Sequence, residues 1–393
     1  MTEPRDILVE KGRISRIEAR DRIRARRNIT VLEGEGRTVI PGLIDAHVHV
    51  WDQALLSEFL YEGITTVREM GNPLAWAKGF QELVEAGIQS GPRIVLGGFL
   101  GDSQIHPWLA DSPHVIGNPN GEEGAGRALS LARAFDVDFI KMYEPVNPSS
   151  GARFIRMAHE RGFPVSSHAG YPLALVASGI DGKEHTISFL ELGPRICGTL
   201  RDDIVQLTKE SGMTIVPTLS TMTRQLAARD GSIVEQVKDS PFLSGLLALY
   251  GFMTRAPAFE KRLGAEIMAG RENAARFHRA GVPLAAGTDS PFYWMPWALH
   301  AELEELVASG LSPLEAITAA SLNAARVLKA EKEVGTVEKG KLADIVILDA
   351  DPTGDIRNTR KIWKIIQAGK VLDRNALQNW TKRENEEVAT IGK

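Results

Sequence analysis

Between residues 42 and 309 the chain repeats one pattern eight times: a short β-rich run, then a segment whose apolar residues fall at helical spacing. A strand, a helix and another strand in succession make a parallel pair with a crossover. Eight such units are the count that closes into a TIM (β/α)8 barrel. The strand runs are GLIDAHVHV (42–50), ITTVREMG (64–71), PRIVLGGF (92–99), VDFIKMY (137–143), FPVSSHAG (163–170), IDGKEHTIS (180–188), MTIVPTLST (213–221) and VPLAAGTDS (282–290). Runs three and seven are followed by the longest insertions, a Gly/Asn/Pro-rich loop and a long helical segment.

The flanks follow another rule. Residues 4–40 and 334–373 read as short alternating strands with Gly-centred turns, the pattern of antiparallel hairpins. The two ends are therefore expected to form one small β-sandwich domain (1–40 with 333–375) beside the barrel (41–332). Residues 376–393 form a polar C-terminal tail, a peripheral helix or a loose end.

Composition removes several function classes. Net charge is -4, with 46 basic and 50 acidic residues mixed along the chain, so no basic field for nucleic acid or an anionic membrane exists. No stretch has the roughly 18 uninterrupted apolar residues of a membrane span, and the charged N-terminus has no apolar signal core. The expectation is a cytoplasmic protein, unless a signal peptide precedes the sequence. One cysteine, Cys197, excludes an internal disulfide framework and a cysteine metal cluster, so any metal must use histidines and carboxylates.

A TIM barrel keeps its active site at the C-terminal ends of its strands. There the sequence places His47 and His49 on strand 1, Lys141 on strand 4, His168 on strand 5, His185 on strand 6 and Asp289 on strand 8. Side chains two apart on a strand share a face, so His47 and His49 can grip one ion. Each group also has an ordinary reading. Lys141 can snorkel from a strand end, the histidines can be satisfied core residues, and Asp289 can cap the next helix. Together, at the ends of five strands, they have little structural explanation.

The segments PGLIDAHVHV, TTVREMG, FIKMY, SSHAG, GKEHTIS, AAGTDS, LHAELEELVASGLSPLEAITAASLNAARVL and VGTVEKGKLADIVILDADP resemble, in order, motifs of the amidohydrolase superfamily. The branch is that of imidazolonepropionase-like and prolidase-type (Xaa-Pro dipeptidase-like) enzymes. The resemblance implies a binuclear centre. His47 and His49 hold one divalent ion with Asp289, His168 and His185 hold the other, and a Lys141 carboxylated by carbon dioxide bridges both. Zinc is expected first, with manganese, cobalt, nickel or iron able to use the same ligands. A metal-bridging hydroxide would attack a substrate carbonyl, with Asp289 moving its proton to the leaving group. The expected reaction is cleavage of an amide bond in a small-molecule substrate such as a dipeptide or N-acyl amino acid. The alternatives are an ester, lactone or organophosphate triester at the same site, or a metal-binding protein without turnover. A homo-oligomer is expected from exposed barrel helices or the small domain.

Two departures from the family pattern stand out. The opening strand ahead of ILVEKGRIS is missing or very short, and the loops after strands 3 and 7, which choose substrate, match no specific subfamily. Further candidates carry weaker roles. Tyr143, two after Lys141, can donate to the oxyanion or pack the barrel mouth, and His106 in the loop after strand 3 can touch substrate or lie in solvent. Arg68 and Glu69 are expected to pair with each other, with Arg68 a lesser candidate for a substrate carboxylate. His300 is read as structural. His114, His159 and His278 are given no role. Trp294 and Trp297 either wall an apolar pocket or pack in the core.

Overall fold

The fold is that of a computed structural model, which describes residues 3–24, 29–100, 121–143, 148–168, 176–186, 200–230, 260–290 and 297–377. Seven strands form one parallel sheet: β4 (Leu43–Val48), β5 (Ile64–Glu69), β6 (Arg93–Leu100), β7 (Phe139–Met142), β8 (Val165–Ser167), β9 (Gly182–Glu184) and β10 (Thr214–Val216). Their spatial order is the sequence order, each strand beside the next. The eighth run, 282–290, closes the gap between β10 and β4 through single parallel bridges, Ile215 with Leu284 and Val48 with Ser290. The Ala285 amide donates to the Ile215 carbonyl at 2.9 Å and the Ala46 amide to the Ala286 carbonyl at 2.9 Å, so the barrel is joined on both sides of this segment.

Helices α1 (Gln53–Tyr61), α2 (Leu74–Glu85), α3 (Gly121–Ala134), α4 (Pro148–Glu160), α5 (Asp202–Ser211), α6 (Leu219–Asp230), α7 (Glu260–Ala280), α8 (Ala298–Ala308), α9 (Pro313–Thr318) and α10 (Ala324–Val327) follow the strands. Strand β4 is buried at every position, as a parallel strand between barrel interior and helices must be. Leu55, Leu56 and Phe59 of α1 are buried in the same apolar core as Leu43, Val67 and Leu299.

Run seven is shorter as a strand than its sequence suggests. Pro217 has no amide to donate, Thr218 turns with φ 52°, and α6 begins at Leu219. The Glu302 carboxylate of α8 accepts from the Leu219 and Ser220 amides at 3.1 and 2.6 Å, satisfying donors that the first turn of a helix leaves free.

Strands from the two ends meet in two small sheets. β1 (Arg5–Glu10) and β2 (Arg13–Ala19) make an antiparallel hairpin, and β3 (Thr38–Pro41), β11 (Ile345–Leu348), β12 (Ile362–Gln367) and β13 (Lys370–Val371) a four-stranded sheet. Ile14 of the hairpin packs with Ala343, Ile345, Ile347 and Ile366. Both hairpin turns have positive φ at two successive residues, Lys11–Gly12 (52° and 78°) and Ala368–Gly369 (45° and 80°), the two-residue turn that matches strand twist. The turns touch. A Cβ on Gly12 would lie 2.9 Å from the Ala368 carbonyl oxygen, so this contact requires glycine. In the tail, residues 374–377 are a helical turn, and 378–393 lie outside the described residues.

Candidate active site

The mouth of the barrel is assembled first by Asp45. This buried carboxylate accepts from the His47 amide at 3.1 Å and the Thr288 amide at 3.0 Å, and from the Thr288 hydroxyl at 2.7 Å. It ties the eighth segment to β4 two residues before His47. Burial pushes its carboxyl up to about 7 against these hydrogen bonds. Asp289 then takes a left-handed backbone (φ 55°) with its amide 2.8 Å from the His47 carbonyl. Asp and His are among the few residues that tolerate this region, and strain of this kind is characteristic of functional sites.

His47, His49 and Asp289 converge, with one ligand atom of each within 4.8 Å of the others. Asp289 Oδ1 lies 3.2 Å from His47 Nε2 and 3.3 Å from His49 Nε2. His47 Nε2 is nevertheless in no hydrogen bond, so the short contact leaves its lone pair available. Burial would raise the Asp289 carboxyl, but His47 and His49 hold it well below the usual carboxylate range.

A second pair sits beside this trio. His185 Nε2 and His168 Nδ1 are 3.1 Å apart, and the His185 ring lies 4.8 Å from that of His47. His185 is also left-handed (φ 62°), and its Nδ1 meets the Thr218 hydroxyl at 2.6 Å. Burial, first, holds both imidazoles well below their ordinary range, so they are neutral, as metal ligands must be.

Lys141 is 1% exposed and its Nζ has no hydrogen-bond partner. Burial pushes its amine down to about 8, against the pull of Glu184 and Asp289. A buried, unpaired amine near neutrality is costly to keep and is reactive. The donor set of the whole mouth, imidazoles and a carboxylate, suits a divalent transition cation, and an orphaned lysine amine among them fits a carboxylated bridge.

Other candidates divide. The Tyr143 ring stacks 4.3 Å from His168 and 5.3 Å from Phe99, at the mouth. His106, His114, Cys197, Trp294 and most of the loops after strands 3 and 7 (101–120, 231–259) lie outside the described residues. Arg68 does not pair with Glu69. It is bound to Glu184 across the barrel, while Glu69 accepts the Val50, Gly71 and Asn72 amides and so folds the turn after β5. Among the described residues Asp289 caps no helix: the next one, α8, starts nine residues later behind Trp297. His300 is structural, held between the Thr359 hydroxyl at 2.8 Å and the Glu62 carbonyl at 2.9 Å. Trp297 packs on Tyr61 and His300. His159 and His278 contact Asp181 and Glu315, away from the mouth. A cavity of about 290 Å³ lies at the opposite end of the barrel, between the starts of β8, β9 and β10, and contains none of the histidines.

Asp45, Glu184 and Thr218 were not evident from sequence. Glu184 precedes His185, and strict alternation would put only one of them inside. The left-handed turn at His185 breaks the alternation and brings both to the centre.

Similar proteins agree with this architecture. Residues 38–373 match the profile of the Amidohydrolase family. An enamidase of Eubacterium barkeri is 24% identical over 278 residues, 62% of this chain and 67% of that protein. An imidazolonepropionase of Symbiobacterium thermophilum is 42% identical over 80 residues, 19% of this chain and 18% of its own length. Among solved structures, a Xaa-Pro dipeptidase with bound methionine superposes with a TM-score of 0.72 at 20% identity, over 93% of this chain and 94% of that one. With the family profile spanning both the barrel and the sheet strands that flank it, the chain belongs to the amidohydrolase family.

Proposed function

We propose that this amidohydrolase hydrolyses the amide bond of a small molecule of the dipeptide or N-acyl amino acid type, using two divalent cations, zinc first, at the barrel mouth. The observation that carries the reading is the convergence of His47, His49 and Asp289 beside the neutral His168–His185 pair and the orphaned Lys141 amine. The enamidase and the dipeptidase among its relatives, both named for work on carbon–nitrogen bonds, support the substrate class.

In this reading His47, His49 and Asp289 would hold one cation and His168 and His185 the other, with a carboxylated Lys141 as a further ligand. Such cations lower the pKa of bound water and polarise a carbonyl. The chain's own groups do the rest. Asp289, kept ionised by its two histidines, accepts a proton from the attacking water and returns it to the leaving nitrogen. Tyr143, whose ring stacks on His168, donates its hydroxyl to the developing oxyanion in this reading. Residues 1–40 and 333–375 act as the small domain.

The test is turnover by the metal-loaded protein on a panel of N-acyl amino acids, dipeptides, lactones and phosphotriesters. Amides are expected to be the preferred class. Turnover of lactones or phosphotriesters with no amide hydrolysis would refute the substrate assignment, and no turnover of any class would refute the enzyme.

A further inference from the structure

Glu184 is absent from the ligand set above, yet it is fully buried and sits at the junction of four strands. From β9 its Oε2 meets His47 Nδ1 on β4 at 2.7 Å. Its Oε1 accepts from Arg68 on β5 and from the Ser166 hydroxyl on β8. Arg68 is itself anchored, its Nε donating to the Ala46 carbonyl at 2.7 Å. A carboxylate gripped by a guanidinium and a hydroxyl only accepts, so His47 Nδ1 is the donor in the shared bond. Nε2 must then carry the lone pair. That nitrogen makes no hydrogen bond and lies 3.2 Å from Asp289 Oδ1.

We propose that Glu184 is the positioning residue of the site: it fixes His47 in the Nδ1-protonated tautomer and aims Nε2 at the cation position, with Arg68 and Ser166 holding the carboxylate in place. A carboxylate behind a ligating imidazole raises its basicity and restricts its rotation, and losing one weakens metal affinity by about 10- to 100-fold. The inference rests on the metal reading above. Its competitor is that Glu184 only neutralises Arg68, a buried cation that would otherwise stand alone.

The two are separated by titrating zinc into metal-free wild type, Glu184→Gln, Arg68→Met and the Glu184→Gln/Arg68→Met pair, with thermal unfolding of each metal-free protein alongside. Glu184→Gln is expected to bind zinc about 10- to 100-fold more weakly. The pair, which removes both buried charges, is expected to regain the stability lost by Glu184→Gln while keeping the weakened affinity. NMR of the imidazole nitrogens should show His47 protonated at Nδ1 in wild type and a tautomer mixture in Glu184→Gln. Affinity unchanged in Glu184→Gln, or restored together with stability in the pair, would overturn the positioning role. Wild type that binds no zinc would overturn the metal reading itself, a distinct result.

Discussion

Gly287, in the segment AAGTDS, is where the fold and the site constrain each other most tightly. A Cβ there would lie 2.5 Å from Val216 Cγ1, 2.8 Å from His47 Cβ and 3.0 Å from the His47 amide nitrogen. Two of these three atoms belong to the backbone root of His47, a candidate ligand on a fully buried strand, so they cannot move away cheaply. Gly287→Ala therefore overpacks the junction between β4 and the eighth segment. Overpacking of a close-packed core costs about 1–3 kcal/mol, or a fall of about 1–4 °C in Tm for a chain of this size. Because the strain is relieved by displacing His47, zinc affinity of the variant should also fall, by about 10-fold or more, since ligand groups must be held to within about 0.5 Å. Differential scanning calorimetry and zinc titration measure the two effects. Adding Val216→Ala removes the shortest contact but not those to His47, so it should recover part of the stability and little of the affinity. Wild-type stability and affinity in Gly287→Ala would refute this, showing that the eighth segment is not pressed against His47 and does not position it.

Other outcomes follow from the same contacts. Lys141→Met exchanges a buried, unpaired amine for an apolar chain of similar length, so the metal-free variant should melt at or above wild type while hydrolysis is lost; calorimetry and turnover together check this. Asp289→Asn keeps the shape of the side chain but not its proton affinity, and should lower kcat by about 10²- to 10⁴-fold with a small change in Tm. Burial raises Glu302 from 4.5 to about 8. A carboxyl whose folded value is the higher contributes stability that is full below the unfolded value and is lost as pH rises through about 8. Denaturant titrations between pH 5 and 8 should therefore show wild type losing stability that Glu302→Gln keeps, at up to about 1.4 kcal/mol per pH unit. His300 acts in the opposite sense. Burial lowers it to about 3, so its contribution is present above 6.5 and lost as pH falls toward 3.

Periodicity made the barrel legible, because eight apolar runs alternating with helical segments leave few other folds. The ligand candidates were legible for a related reason: strand ends are predictable, and His47, His49, Lys141, His168, His185 and Asp289 all fall on them. The partners of those residues were not. Arg68 stands next to Glu69 in sequence, but successive strand residues face opposite ways, so Arg68 reaches inward across the barrel to Glu184 while Glu69 serves the turn after β5. Glu184 itself was hidden by the φ of 62° at His185, a backbone conformation that no local pattern announces. Asp45 looked like part of a motif, and only its two hydrogen bonds to Thr288, across 243 residues, show what it does there. Long-range contacts of this kind are set by barrel closure rather than by spacing along the chain.

The proposed function requires a two-cation centre at the mouth of the barrel. It is tested most directly by anomalous diffraction at the zinc edge from crystals grown with zinc and bicarbonate. Two peaks are expected, one among His47, His49 and Asp289 and one at His168 and His185, with Lys141 carrying a carboxyl group that reaches both. A single peak, or two peaks beside an unmodified Lys141 amine, would contradict it.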